Sequence, residues 1–147
     1  ARRQRQMCIR DRALAPQGFW PEHSRGQPLA LQELADAPLI GLSSADPLSA
    51  RLDSYLKSVE PPPRVSIAVQ TYSLARAMVE SGAGLALIDP FTALGASTAN
   101  TAIRPLSPPL PITLYAVTRA AEPPPHTLAS LLEIFARQAR AQLDRPL

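Results

Sequence analysis

The chain has 147 residues, with 15 lysines and arginines against 12 aspartates and glutamates, a formal net charge of +3. That length suits one domain with a core. A single cysteine, Cys8, leaves no disulfide framework and no cysteine-based metal site, and no apolar run approaches the ~20 residues needed to cross a membrane as a helix.

Residues 1–12, ARRQRQMCIRDR, stand apart from the rest. They hold five arginines against one aspartate, so the remainder carries ten basic and eleven acidic residues, net −1. The basic excess expected of a DNA-binding face is therefore absent after Ala13. Gln6 to Asp11 resembles one reading frame of the transposon end used in preparing sequencing libraries. On that reading the segment is an assembly scar, expected to be disordered and to pack against nothing. The rival reading is a basic arm for nucleic acid. It has no apolar h-region and is not a secretory signal.

Ala13 to Gln27 shows no periodicity, and Phe19 and Trp20 are its only large apolar groups. Leu31 to Leu34 makes one helical turn at most. Pro38 to Leu42 reads as a short strand. Asp46 then stands as a helix N-cap with Pro47 at the first helical position, where a missing N–H does no harm. Leu48, Leu52, Tyr55, Leu56 and Val59 follow at helical spacing, one buried stripe that Glu60-Pro61 ends.

Val65 to Val69 reads as a second strand, and a polar break follows at Gln70 and Thr71. Ser73 is the expected N-cap of the next helix, with Leu74, Ala77, Met78 and Ser81 on its apolar face. Gly82 suits the left-handed C-terminal position, and Gly84 lets the turn pass close to the helix. Leu85 to Ile88 is apolar throughout, as in a parallel strand covered on both faces. Phe91 to Ala102 reads as loop or short helix, Ala102 to Leu106 as a short strand, and Ile112 to Val117 as a longer one. Glu122 to His126 is a stiff loop, one of several places where the 17 prolines gather. Thr127 is the expected cap of a last helix. Leu128, Leu131, Leu132, Phe135 and Ala139 line one face of it, with Arg137, Arg140 and Gln142 largely opposite.

Catalysis finds little support. Ser43 and Ser44 lack a glycine elbow, acidic residues are scattered singly, and His23 and His126 lie near prolines in loop-like stretches, so neither a catalytic nor a metal site is expected. Gly82-Ala83-Gly84 follows a helix and precedes a strand, the wrong order for a dinucleotide loop. A binding site fits better. In parallel α/β sheets ligands sit beyond the carboxyl ends of strands, at helix N-termini whose free N–H groups suit a carboxylate. Two such corners occur, Ser43 to Asp46 and Gln70 to Ser73. The bland alternative is that Ser43, Asp46, Thr71 and Ser73 only cap helices.

Ser73, Met78-Val79, Ser81 to Leu87 and Asp89-Pro90 together resemble a signature in the effector-binding domain of LysR-type transcriptional regulators. Leu31, Leu34, Ala35, Pro38, Leu39 and Ile40 resemble another stretch of that domain, and the likeness extends over Pro28 to Leu143. Asp89 to Ala93 is similar to the branch that answers to amino acids and opines. The resemblance implies an α/β fold of the type 2 periplasmic-binding-protein kind, a mostly parallel sheet flanked by helices, here incomplete. Residues 13–119 would form the second sub-domain, and residues 120–147 a loop and a helix returning to a first sub-domain that is not encoded. It implies a small carboxylate-bearing or amino-acid-like effector held by Ser43, Ser44, Asp46, Thr71, Tyr72, Ser73, Pro90 and Phe91, with no cofactor, no metal and no enzymatic activity. The parent would be a cytoplasmic homodimer or tetramer that reaches DNA only through a preceding winged helix-turn-helix, without membrane contact. A transporter's solute-binding protein shares the fold and is the alternative; an enzyme of the same fold, such as prephenate dehydratase or porphobilinogen deaminase, lacks motif support.

Overall fold

The run Leu85–Ile88 is buried at every position and lies inside a six-stranded sheet. The structure is a computed structural model that describes residues 2–43, 45–119 and 125–144. In chain order its elements are β1 (Arg2–Arg10), β2 (Arg12–Pro16), β3 (Leu29–Ala30), β4 (Leu39–Leu42), α1 (Pro47–Leu56), β5 (Val65–Val69), α2 (Tyr72–Glu80), β6 (Leu85–Ile88), α3 (Pro90–Leu94), β7 (Thr101–Ser107), β8 (Pro111–Arg119) and α4 (His126–Leu143). Two short 3-10 turns, Glu22–Ser24 and Leu31–Leu34, flank β3. The chain divides into two units: Arg10–Leu110 holds the large sheet, and residues 1–9 with Pro111–Pro146 hold β1, β8 and α4.

In the larger unit the strand order is β3-β7-β2-β6-β4-β5. β4 pairs in parallel with both β5 and β6, and β3 with β7. β2 alone runs against its neighbours, with Leu14 opposite Ala86 on one side and Ile103 on the other. The sheet is therefore mostly parallel and covered on both faces. Alternate residues of each strand point to opposite faces, and two cores result. Leu85 and Leu87, with Ala13, Ala15 and Leu39, join Leu52, Tyr55 and Leu56 of α1. Ala86 and Ile88, with Leu14 and Ile40, join Ala75 and Val79 of α2 and Ala93 of α3. Each fully buried Leu or Ile contributes roughly 1.5–3 kcal/mol. β2 escaped the sequence reading because a strand buried on both faces has no alternation to see.

α1 begins as expected. Asp46 is extended, its carboxylate accepts from the Ser49 N–H at 2.9 Å, and Pro47 opens the helix. α2 differs from expectation. Its cap is Thr71, whose hydroxyl accepts from the Leu74 N–H at 3.1 Å, so Ser73 lies inside the first turn and is exposed. The buried face is Ala75 and Val79, whereas Leu74 is 48% exposed. α2 lies against β2, β4 and β6, and the small side chain of Ala75 permits that approach. Gly84 explains the close turn before β6: its φ is +155°, and a Cβ there would stand 2.2 Å from the Pro38 carbonyl oxygen. In the Ala13–Gln27 stretch, Trp20 packs on the first core and lies 5.3 Å beneath the guanidinium carbon of Arg104.

In the smaller unit β1 and β8 form a two-stranded sheet. Where the sequence leads one to expect a disordered segment over residues 1–12, Arg2–Arg10 lies in β1 and β2 starts at Arg12; Ile9 is 3% exposed and Asp11 1%. The physical reason is local. A strand edge accepts any extended segment through its main chain, and from Met7 to Arg10 the burial alternates in and out. α4 begins after Pro125 with no side-chain cap, so Thr127 does not cap it, and none of its residues is buried. Most of the expected Glu122–His126 loop lies outside the described residues.

Candidate ligand-binding site

Because β4, β5 and β6 are parallel, Leu42, Val69 and Ile88 end on the same edge of the sheet. A helix starts just beyond each end, behind the caps Asp46, Thr71 and Asp89. Helix N-termini present N–H donors and partial positive charge, so this edge favours anions. The caps satisfy some of those donors. Asp89 takes the most: its Oδ1 accepts from the N–H groups of Phe91 at 2.9 Å and Thr92 at 3.0 Å, and the Thr92 hydroxyl donates to its Oδ2.

The first two corners are side by side, since Leu42 is the ladder partner of Val69. Ser43 joins them: its N–H donates to the Val69 carbonyl at 2.8 Å, and its hydroxyl reaches the same oxygen at 3.5 Å. A depression of about 570 Å³ opens at the start of α1, lined by Ser43, Asp46, Ser49 and Asp53 among others. It takes in Ser43 and Asp46 but not Thr71, Tyr72 or Ser73, and Ser44 lies outside the described residues. Pro90, buried, and Phe91, half-buried, open the third corner apart from that depression.

Beside these corners lies a polar cluster. Asp11, just before β2, receives a hydrogen bond from Arg51 Nη2 of α1 at 2.8 Å. Burial raises the Asp11 pKa above the ordinary carboxylate value, and the Arg51 charge opposes that rise. The Tyr72 hydroxyl faces both groups; burial and then the Asp11 charge push its pKa up to about 12, so at neutral pH it is a donor. Tyr55 is likewise pushed up to about 12, and its hydroxyl donates to the Pro108 carbonyl at 2.5 Å. The Asp11 N–H donates to the Leu110 carbonyl at 2.9 Å. α1 is thus tied through two side chains to the segments around Asp11 and Pro108.

The sequence reading missed Asp11, Arg51 and Asp89. Asp89-Pro90 carries the same cap signature as Asp46-Pro47 and was legible by the same rule. Arg51 sits three residues after Leu48 and four before Tyr55, inside the apolar stripe, and an arginine there signals a buried partner. Asp11 was set aside with its segment. Among the described residues no cluster of histidine, cysteine and carboxylates could hold a metal ion, and no helix is long and apolar enough to cross a membrane.

A family model described as LysR substrate binding domain matches residues 13–140. The chain is 35% identical over 82 residues to the HTH-type transcriptional regulator DgcR of a Pseudoalteromonas species, a match covering 56% of this chain and 28% of that protein. It therefore spans well under half the length of that relative. Among solved structures, the BenM effector binding domain with its effector benzoate aligns at a TM-score of 0.71 and 20% identity, over 99% of this chain and 67% of that one. The regulatory domain of Synechocystis PCC6803 CcmR in complex with 2-PG aligns at 0.71 and 10% identity, over 90% and 64%. The reduced OxyR regulatory domain from Pseudomonas aeruginosa aligns at 0.66 and 18% identity, over 90% and 64%. These likenesses establish the fold.

Proposed function

The chain belongs to the LysR substrate-binding domain family, and on that premise we propose that it is the effector-sensing part of a LysR-type transcription regulator. The observation that carries this reading is the family match over residues 13–140, laid on a sheet whose parallel strands end together beneath two capped helix starts. The ligand is a small carboxylate-bearing molecule, amino-acid-like in the branch that Asp89 to Ala93 resembles. Ser43, Ser44, Asp46, Thr71, Tyr72, Ser73, Pro90 and Phe91 are the residues assigned to it. Binding rather than catalysis is the task, as the match to a substrate-binding domain model supports. DNA contact and assembly into a homodimer or tetramer belong to the parent regulator, which acts in the cytoplasm.

A transporter's solute-binding protein is the alternative. The likeness to a helix-turn-helix regulator favours the sensor, and the gene upstream separates them: a winged helix-turn-helix supports the first, a signal peptide the second. For the ligand, the purified chain is titrated calorimetrically against a panel of amino acids and small carboxylic acids. Thr71→Ala and Ser43→Ala should each weaken binding of the best ligand by roughly fivefold, as for loss of one hydrogen bond worth ~1 kcal/mol. A panel without a single binder, or affinities indifferent to both changes, would sink the assignment.

A further inference from the structure

The polar cluster beside the corners contains a carboxylate that the chain itself supplies. We propose that Arg51, with Tyr72, is the carboxylate-recognising pair of the site, and that the Asp11 side chain holds from within the place an effector carboxylate takes. This rests on the sensor reading above.

Four observations meet here. Arg51 Nη2 already holds a carboxylate oxygen at 2.8 Å, and a planar guanidinium fork is the side chain best matched to that group. The Arg51 side chain is 23% exposed, so it can be reached, whereas that of Asp11 is fully buried. The Asp11 carboxylate is poorly served: its second oxygen, Oδ1, is buried without a hydrogen-bond partner among the described residues, and so is the neighbouring Tyr72 hydroxyl. Asp11 is fixed to the backbone between β1 and β2, and its carboxylate meets the Arg51 fork through Oδ2 alone. Lastly, Asp11 falls in the segment that composition sets apart, and the family match starts two residues later at Ala13. Arg51 and Tyr72 lie inside that match; the carboxylate they face does not.

The pair therefore selects for a carboxylate, and Asp11 competes with it. The test uses the full chain and three probes, acetate, benzoate and glutamate, with benzamide as an uncharged control. Asp11→Ala should raise the affinity for at least one carboxylate tenfold or more and leave benzamide unchanged. Adding Arg51→Met should abolish that gain, Arg51→Lys should keep part of it, and Tyr72→Phe should reduce it severalfold. If Asp11→Ala does not fold by circular dichroism, Asp11→Ser, which is also uncharged and too short to fill that place, carries the same expectation. A folded Asp11 variant that binds no carboxylate better than the parent, or a gain that survives Arg51→Met, overturns the proposal. Should Thr71→Ala weaken an effector while every Asp11 and Arg51 variant leaves it unchanged, this inference falls and the sensor reading stands.

Discussion

α1 and α4 have the same kind of sequence and opposite fates. Both carry apolar residues three and four apart over a polar back. α1, ten residues long, buries Leu52, Tyr55 and Leu56. α4, eighteen residues long, buries none, and Leu131, Ile134 and Phe135 are 45%, 44% and 62% exposed. The difference lies in what each helix meets. α1 covers one face of a six-stranded sheet, where Leu39, Leu85 and Leu87 are waiting. α4 shares its unit with a two-stranded sheet, and such a pair offers little surface and marginal stability of its own. An apolar stripe states what a helix needs and does not supply it.

Truncating a residue in each helix tests that contrast, and the largest effect is expected in α1. Leu52→Ala should destabilise by about 2–5 kcal/mol, the lost transfer energy plus a cavity. Phe135→Ala in α4 removes a larger side chain, yet a surface change away from special features stays within about 0.5 kcal/mol. Chemical denaturation of both variants measures the gap. Equal losses would show that α4 is packed in solution and that the contrast fails. Replacing Leu131 and Phe135 with serine should also reduce self-association in sedimentation, since an apolar stripe left in water is a surface for collapse.

The same contrast explains what the sequence disclosed. α1 was legible in full because cap, proline and stripe agreed. β6 was legible because a continuous apolar run between a glycine turn and Asp89-Pro90 permits little else. β2 was not, since Ala13, Leu14 and Ala15 show no alternation when both faces are covered. The face of α2 was misplaced because taking Ser73 as cap instead of Thr71 starts the helix two residues late, and because size misled: Leu74 outranks Ala75 in hydrophobicity, yet close approach to the sheet selects the smaller side chain. Of the site, the corners at Ser43 and Thr71 could be read from strand-then-cap order. The Asp11–Arg51 contact joins residues 40 apart in the chain, and no local pattern encodes it.

A smaller effect is expected at the helix starts. Asp46→Ala removes the acceptor for the Ser49 N–H and should cost α1 about 0.5–2 kcal/mol. α4 has no side-chain cap to lose, so Thr127→Ala should be neutral within about 0.5 kcal/mol. Thermal unfolding of the two variants side by side decides this. A destabilised Thr127→Ala chain would show that the helix begins two residues later in solution and that Thr127 caps it after all.

The smallest difference concerns pH, and it again falls on α1, through Arg51. Burial raises the Asp11 pKa above the ordinary carboxylate value of 3.8, and the attraction of Arg51 only partly offsets the rise. The folded chain therefore binds this proton more tightly than the unfolded chain does. The stabilisation that results is complete below pH 3.8 and is lost as pH climbs through the raised folded value. Asp11→Asn cannot ionise and is spared that loss. Urea midpoints of parent and variant, measured from below pH 3.8 up to neutrality, should therefore move in the variant's favour as pH rises, with the slopes of all other groups cancelling in the difference. A difference that moves in the parent's favour would mean that the ion pair with Arg51 outweighs burial. Asp11 would then be a settled structural partner of Arg51 rather than a displaceable one.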